Sequence, residues 1–126
     1  MLLENKYYKI TDICNKELNA VFRIVFLSDC DVYRGHFPDN PVCPGVCNIQ
    51  TIKECAMLLT GEKLLISTIK QCRLTAVASP VVCPEVNVTI GISLTDNGFT
   101  ITATIVDTDR TYIEYKGDMI IDRTQQ

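Results

Sequence analysis

The chain has 126 residues and a mass of 14.1 kDa, enough for one domain around one core, and its 47% apolar content excludes a disordered segment. A formal charge of −3, from 12 Lys+Arg against 15 Asp+Glu, leaves no overall basic footprint of the kind a general nucleic-acid binder needs. No apolar run approaches the ~18–20 residues that cross a bilayer, which excludes a helical membrane span. Glu4 and Lys6 stand where a signal peptide would carry its apolar stretch, so the sequence predicts a cytoplasmic protein.

In chain order, the first element is a short strand candidate at 7–10, followed by a clearer one at 19–27. The latter, NAVFRIVFL, is β-branched and aromatic with partial alternation, which suits a strand with one buried face. Residues 46–59 form the one strong helix, with Val46, Cys47, Ile49, Ile52, Cys55, Ala56, Met57, Leu58 and Leu59 apolar. A helix apolar around most of its circumference is predicted to be buried on several sides. Pro44 suits its first turn and Gly61 its end. A further strand is predicted at 63–74. At 86–94, Val86, Val88, Ile90 and Ile92 alternate with Asn87, Thr89, Gly91 and Ser93. Asp96-Asn97-Gly98 then reads as a hairpin turn that accepts positive φ, and Thr108-Asp109-Arg110 as a second turn. These turns separate 86–94, 99–106 and 111–121 into an antiparallel meander. The predicted fold is α+β, a single domain over 1–126 in which a curled antiparallel sheet wraps one central helix.

Seven cysteines (Cys14, Cys30, Cys43, Cys47, Cys55, Cys72 and Cys83) are an odd number without a secretory signal, and read as reduced thiols used as small apolar residues. Cys43, Cys47 and Cys55 lie near the only histidine, His36, but no second cysteine pair follows at zinc spacing, so no metal is predicted.

The approach to the helix, Asp39-Asn40-Pro41-Val42-Cys43-Pro44-Gly45, puts no Ser, Thr, Asp or Asn at the cap position. The N–H groups of the first turn still need acceptors. Gly45 removes the side chain that would block close approach, so a ligand oxygen such as a carbonyl could dock there; water, a neighbouring loop or Asn40 bending back would serve equally. His36 stands just upstream in Gly35-His36-Phe37-Pro38. Histidine is the side chain best suited to general-base work near neutral pH, and Pro38, Pro41 and Pro44 stiffen its loop.

The run from Tyr33 to Val46, YRGHFPDNPVCPGV, closely resembles the G-H-F-P-x-x-P-x-x-P-G-V signature of the 3-hydroxyacyl-acyl-carrier-protein dehydratases. Strand order, helix position and length are similar to that family's hot-dog fold. Val82-Cys83-Pro84-Glu85-Val86 only faintly resembles the family's V-x-P-G-D segment, and the N-terminal helix common in the family is shortened or missing. The resemblance implies conversion of a 3-hydroxyacyl thioester, carried on acyl-carrier protein, to the trans-2-enoyl thioester without a cofactor or metal. It implies that His36 removes the C2 proton, that the Val42 carbonyl holds the other ring nitrogen, and that the Gly45 N–H meets the thioester carbonyl. Phe37 and Val46 belong to the same substrate-binding signature. It further implies an acyl tunnel beside the helix at the interface of a homodimer or a trimer of dimers.

One position breaks the pattern. Fourteen residues after the histidine, where the family carries Glu or Asp to help the hydroxyl leave, this chain has Gln50; four residues on, where the family often has Gln, it has Glu54. An amide hydrogen-bonds and orients but supplies no proton as a carboxylic acid does. Residues four apart share a helix face, so Glu54 acts through Gln50 or a water, or serves an ion pair or a solvated helix end. Three functions follow as expectations: a dehydratase with His36 as base and Gln50 and Glu54 sharing the leaving-group role, a weak or inactive acyl-thioester-binding subunit of a hetero-oligomer, and an acyl thioesterase. Arg34, Lys70, Arg73 and Lys116 are candidate docking charges for the acidic carrier protein, or ordinary solvated surface.

Overall fold

The computed structural model describes residues 2–35, 41–108 and 110–124. Six strands form one antiparallel sheet: β1 (Tyr8–Lys16), β2 (Asn19–Phe26), β3 (Leu64–Leu74), β4 (Glu85–Leu94), β5 (Gly98–Val106) and β6 (Thr111–Ile121). Their spatial order is β1-β2-β4-β5-β6-β3, so β4, β5 and β6 make the expected meander at the centre. A short helical turn, α1 (Val32–Gly35), precedes the main helix, α2 (Gly45–Thr60). This is the hot-dog fold that the sequence resembles, with α2 lying across the sheet against β4 and β3.

The period-two pattern turns one face of each meander strand inward. Val86, Val88 and Ile90 from β4, Ile101 and Ile105 from β5, and Ile113 and Met119 from β6 are buried against Ile52, Cys55 and Ala56 of α2. Each fully buried aliphatic side chain contributes about 1.5–3 kcal/mol, which makes this layer the main source of stability. No helix of the described residues is long and apolar enough to cross a membrane.

The structure corrects the sequence reading in two places, the reach of the first strand and the position of Pro44. The N-terminal strand expected at 7–10 runs much further, as Tyr8–Lys16, because β2 offers a full-length antiparallel partner to a segment whose own side chains are mostly exposed. Pro44 is the N-cap of α2 rather than part of its first turn. The helix is buried over a broad arc through Asn48, Thr51, Ile52, Glu54, Cys55 and Ala56, whereas Val46 and Leu58 are 74% and 42% exposed. In place of a family N-terminal helix, Leu3–Tyr7 make a tight turn in which the Lys6 and Tyr7 N–H groups donate to the Leu3 carbonyl.

The β4–β5 hairpin departs from expectation in mechanism. Among the described residues only Asn5, Glu17 and Gly61 have positive φ, so Asp96, Asn97 and Gly98 turn without it. Gly98 serves packing instead: a Cβ there would sit 2.1 Å from the Met119 carbonyl oxygen and 2.7 Å from Ile120 Cα. Both obstacles are backbone of β6 and cannot swing aside. Gly98→Ala should therefore destabilise the fold by about 1–3 kcal/mol, measured as a lower urea midpoint with an unchanged m-value.

Candidate active site

The start of α2 has the uncapped geometry its sequence implies. Pro44 sits at the N-cap with extended backbone, and no side chain among the described residues makes a capping hydrogen bond; Asn40, the alternative cap, lies outside them. The Cys47 and Asn48 N–H groups both donate to the Pro44 carbonyl at 3.1 Å, and among the described residues the Gly45 and Val46 N–H groups meet no acceptor, as the first donors of a helix do not. Upstream, Cys43 is pinned by its N–H to the Ala78 carbonyl at 2.8 Å, so the 41–44 approach is tied to the segment between β3 and β4.

These donors open into a cavity of about 570 Å³ lined by Val42, Gly45, Val46, Asn48, Leu74 and Tyr112, among others. That volume is ample for a small-molecule site. The lining is largely aliphatic, with Leu74, Ala76, Val77 and Ala78 opposite the helix end. A Cβ at Gly45 would stand 3.0 Å from Leu74 Cδ1, the end of a side chain exposed enough to move aside. The cavity can take an apolar chain whose polar end meets the Gly45 N–H.

Of the residues expected to act, Val42, Gly45 and Val46 meet at this cavity. His36 and Phe37 fall outside the described residues, in the segment between Gly35 and Pro41. Gln50 and Glu54 meet each other, with Gln50 Nε2 donating to Glu54 Oε2 at 2.9 Å. Glu54 is 1% exposed, and its other donors come from the N-terminal turn: the Leu3 N–H at 3.0 Å, the Glu4 N–H at 3.0 Å and the Tyr8 hydroxyl at 3.0 Å. Among the described residues no Lys or Arg pairs with it, and it is not at a solvated helix end. Burial, with Cys55 and Glu54 nearby, pushes the Tyr8 hydroxyl far up, so it remains a donor to the carboxylate.

The remaining expectations sort simply. Arg34 pairs with Asp31 at 3.5 Å and Lys70 with Asp118 at 3.5 Å, both at exposed positions. Glu85 opens β4 and pairs with Arg23 at 2.9 Å. Cys55 is buried in the core, whereas the Cys43 thiol lies 3.4 Å from the Tyr33 hydroxyl; burial pushes both thiols up, so they stay protonated. Among the described residues no group of three His, Cys, Asp or Glu side chains is arranged to hold a metal ion.

Sequence reasoning passed over Asn48 and Tyr7. Asn48 is 4% exposed in α2, and Tyr7 donates to its Oδ1 at 2.7 Å from a ring packed on Phe26 and stacked on Tyr33. The available signal was a single amide inside the apolar run Val46-Cys47-Asn48-Ile49, a position that burial makes costly unless the amide is bonded.

A family model describing the ApeI dehydratase, named ApeI-like, matches residues 12–113. Among solved structures, the dehydratase heterocomplex ApeI:P from Xenorhabdus doucetiae is similar at a TM-score of 0.67 and 21% identity, over 83% of this chain and 89% of that one. An uncharacterized protein from Erwinia carotovora subsp. atroseptica is similar at a TM-score of 0.58 and 13% identity, over 92% of this chain and 94% of that one. No curated protein sequence matches the chain.

The Glu54 geometry generates a structural prediction. Glu54→Gln places an N–H₂ among four donors, so it should cost about 1–3 kcal/mol. Hydrogen exchange at the Leu3 and Glu4 amides should accelerate in this variant ahead of exchange in the meander. Unchanged protection of those two amides would contradict the anchoring role.

Proposed function

The chain belongs to the ApeI-like dehydratase family, and on that premise we propose that it removes water from a 3-hydroxyacyl thioester carried on acyl-carrier protein. The product is the trans-2-enoyl thioester. The observation that carries this reading is the uncapped start of α2 opening into an apolar cavity. The acyl chain lies along the aliphatic wall, and the thioester carbonyl meets the Gly45 N–H. His36 takes the C2 proton while negative charge gathers on the carbonyl oxygen, where a fixed donor at a helix start stabilises it. The electron pair then forms the C2–C3 double bond as the C3–O bond breaks and hydroxide leaves.

Gln50 orients the departing hydroxyl, and Glu54 fixes the Gln50 amide one turn further along. The proton for the leaving hydroxide comes from the imidazolium formed at His36 or from water, since Gln50 has none to give. The same geometry favours a second reading. With an amide at 50 and a carboxylate at 54 already surrounded by donors, the chain would bind acyl thioesters weakly turned over or not at all, and act as the partner of an active subunit. The structural neighbour from Xenorhabdus doucetiae is itself a heterocomplex.

Either way the chain assembles as at least a dimer in the cytoplasm. The outer edge of β3 has no strand beside it in the described residues, Leu65, Ile69 and Leu74 of that strand are exposed, and so are Val46 and Leu58 of α2. An unpaired edge flanked by apolar side chains is covered by association.

A turnover assay on 3-hydroxyacyl thioesters, with enoyl product and free thiol measured separately, tests these readings. His36→Ala should lower enoyl formation by about 10²–10⁴-fold with the fold intact. Gln50→Glu should raise it, since a carboxyl returns to the leaving-group position. No turnover in the unmodified chain combined with activity in Gln50→Glu selects the binding subunit, and release of thiol without enoyl product selects a thioesterase. Light scattering that shows a monomer at micromolar concentration would remove the dimer.

A further inference from the structure

We propose that the Asn48 side-chain amide is a second donor to the thioester carbonyl, working beside the Gly45 N–H. This deepens the acyl-thioester reading of the cavity and rests on it.

Position supplies the first argument. Asn48 lies three residues beyond Gly45, and residues at that spacing share a face of the helix. Helical side chains lean towards the N-terminus, so the Asn48 amide reaches back over the turn that begins with Gly45. Gly45 has no side chain to stand between them, and both residues line the same cavity.

Orientation supplies the second. The Tyr7 hydroxyl donates to Asn48 Oδ1 at 2.7 Å, which commits the carbonyl end of the amide to the core. The Nδ2 end, with two N–H donors, is left for the cavity side. Tyr7 itself is fully buried, wedged between Phe26 and Tyr33, and desolvation by burial pushes its hydroxyl far up, so it keeps its proton and the amide keeps this sense.

Elimination supplies the third. Among the described residues of the lining, the other polar side chains are engaged elsewhere: the Thr75 hydroxyl donates to the Thr111 carbonyl, the Tyr112 hydroxyl donates to Asp107, and the Cys43 thiol pairs with the Tyr33 hydroxyl. Asn48 is the lining side chain with donors to spare. A carbonyl oxygen that gains charge as C2 loses its proton is the acceptor that two converging N–H groups suit, and it is the polar atom a docked thioester presents to a helix start.

The test uses the full chain and two substitutions. Asn48→Asp keeps an acceptor for Tyr7 but replaces the cavity donors with an anionic oxygen. Tyr7→Phe leaves Asn48 in place and removes only the group that orients it. The probe is a saturated acyl N-acetylcysteamine thioester carrying ¹³C at the carbonyl, which binds without reacting; its carbonyl band is read by infrared difference spectroscopy. Turnover is read on the matching 3-hydroxyacyl thioester. In the unmodified chain the bound band should move to lower frequency. Asn48→Asp should lose part of that shift and about 10²-fold in kcat/KM, the scale of one oxyanion donor. Tyr7→Phe should lose about ten-fold in kcat with little change in KM, and broaden the band, a pattern that a merely structural role would not give.

A band position indifferent to both substitutions overturns the proposal even where dehydration proceeds. A shift that depends on Asn48 in a chain without turnover supports the donor while removing the dehydratase. A chain that shows no bound band removes both. Where Asn48→Asp does not fold, the Tyr7→Phe band alone decides.

Discussion

The arrangement turns on a carboxylate that has no water. Glu54 is buried in the middle of α2, and a buried charge is tolerated only when hydrogen bonds replace its hydration. The chain meets that requirement by folding its own N-terminus over the helix. The Leu3 and Glu4 N–H groups and the Tyr8 hydroxyl converge on the two oxygens, and Gln50 closes the remaining side. The turn that delivers these donors, with Asn5 at φ 67°, also sets where β1 begins. Removing one partner of such a cluster strands the others, so the cluster acts as a unit.

From that anchor the geometry of the candidate site follows in steps. With Leu3–Tyr8 held on the helix, Tyr7 is directed inward onto Phe26 and Tyr33, and its hydroxyl reaches Asn48. Asn48 is three residues from Gly45, so a contact made at the N-terminus of the chain bears on the uncapped start of α2. The side opposite is built independently, by Leu74 to Ala78 beyond the end of β3, tied back through the Cys43 N–H to the Ala78 carbonyl. Two separate parts of the chain thus define the mouth and the floor of one cavity. This division explains why an acid at 50 and an acid at 54 are not equivalent. Position 54 faces the N-terminal turn and is consumed by it, whereas position 50, one turn earlier on the same face, remains half-buried.

The same economy of positions shapes the sheet. Strands β3 and β6 pair through two register shifts, between Ile66 and Thr68 and between Ile69 and Gln71, and the bulged backbone of β3 presses on β6 where Gly117 leaves room. Bulges bend and twist a strand, and here they curl the sheet end beside α2. β3 is an edge strand of the sheet, and Val46 and Leu58 of the helix are exposed.

What the sequence determined by itself was local and periodic. Alternation in 86–94 set the inward face of β4, the apolar run from Val46 marked the helix, Gly61 marked its end, and YRGHFPDNPVCPGV marked a helix start with no capping residue type at the cap position. Each of these depends on neighbours a few residues away, which is the range over which backbone geometry and hydrophobic period operate. The tertiary structure decided what depends on distant partners. It made Glu54 an anchor rather than a solvated or salt-bridged residue, because its donors lie some fifty residues away in a turn that no pattern announces. It extended β1 through a polar stretch because β2 could pair with it, and it explained Gly98 through the β6 backbone rather than through φ. It also gave Asn48 a direction, since which end of an amide faces a cavity is set by the hydrogen bond the other end makes, and that bond comes from Tyr7 across the core.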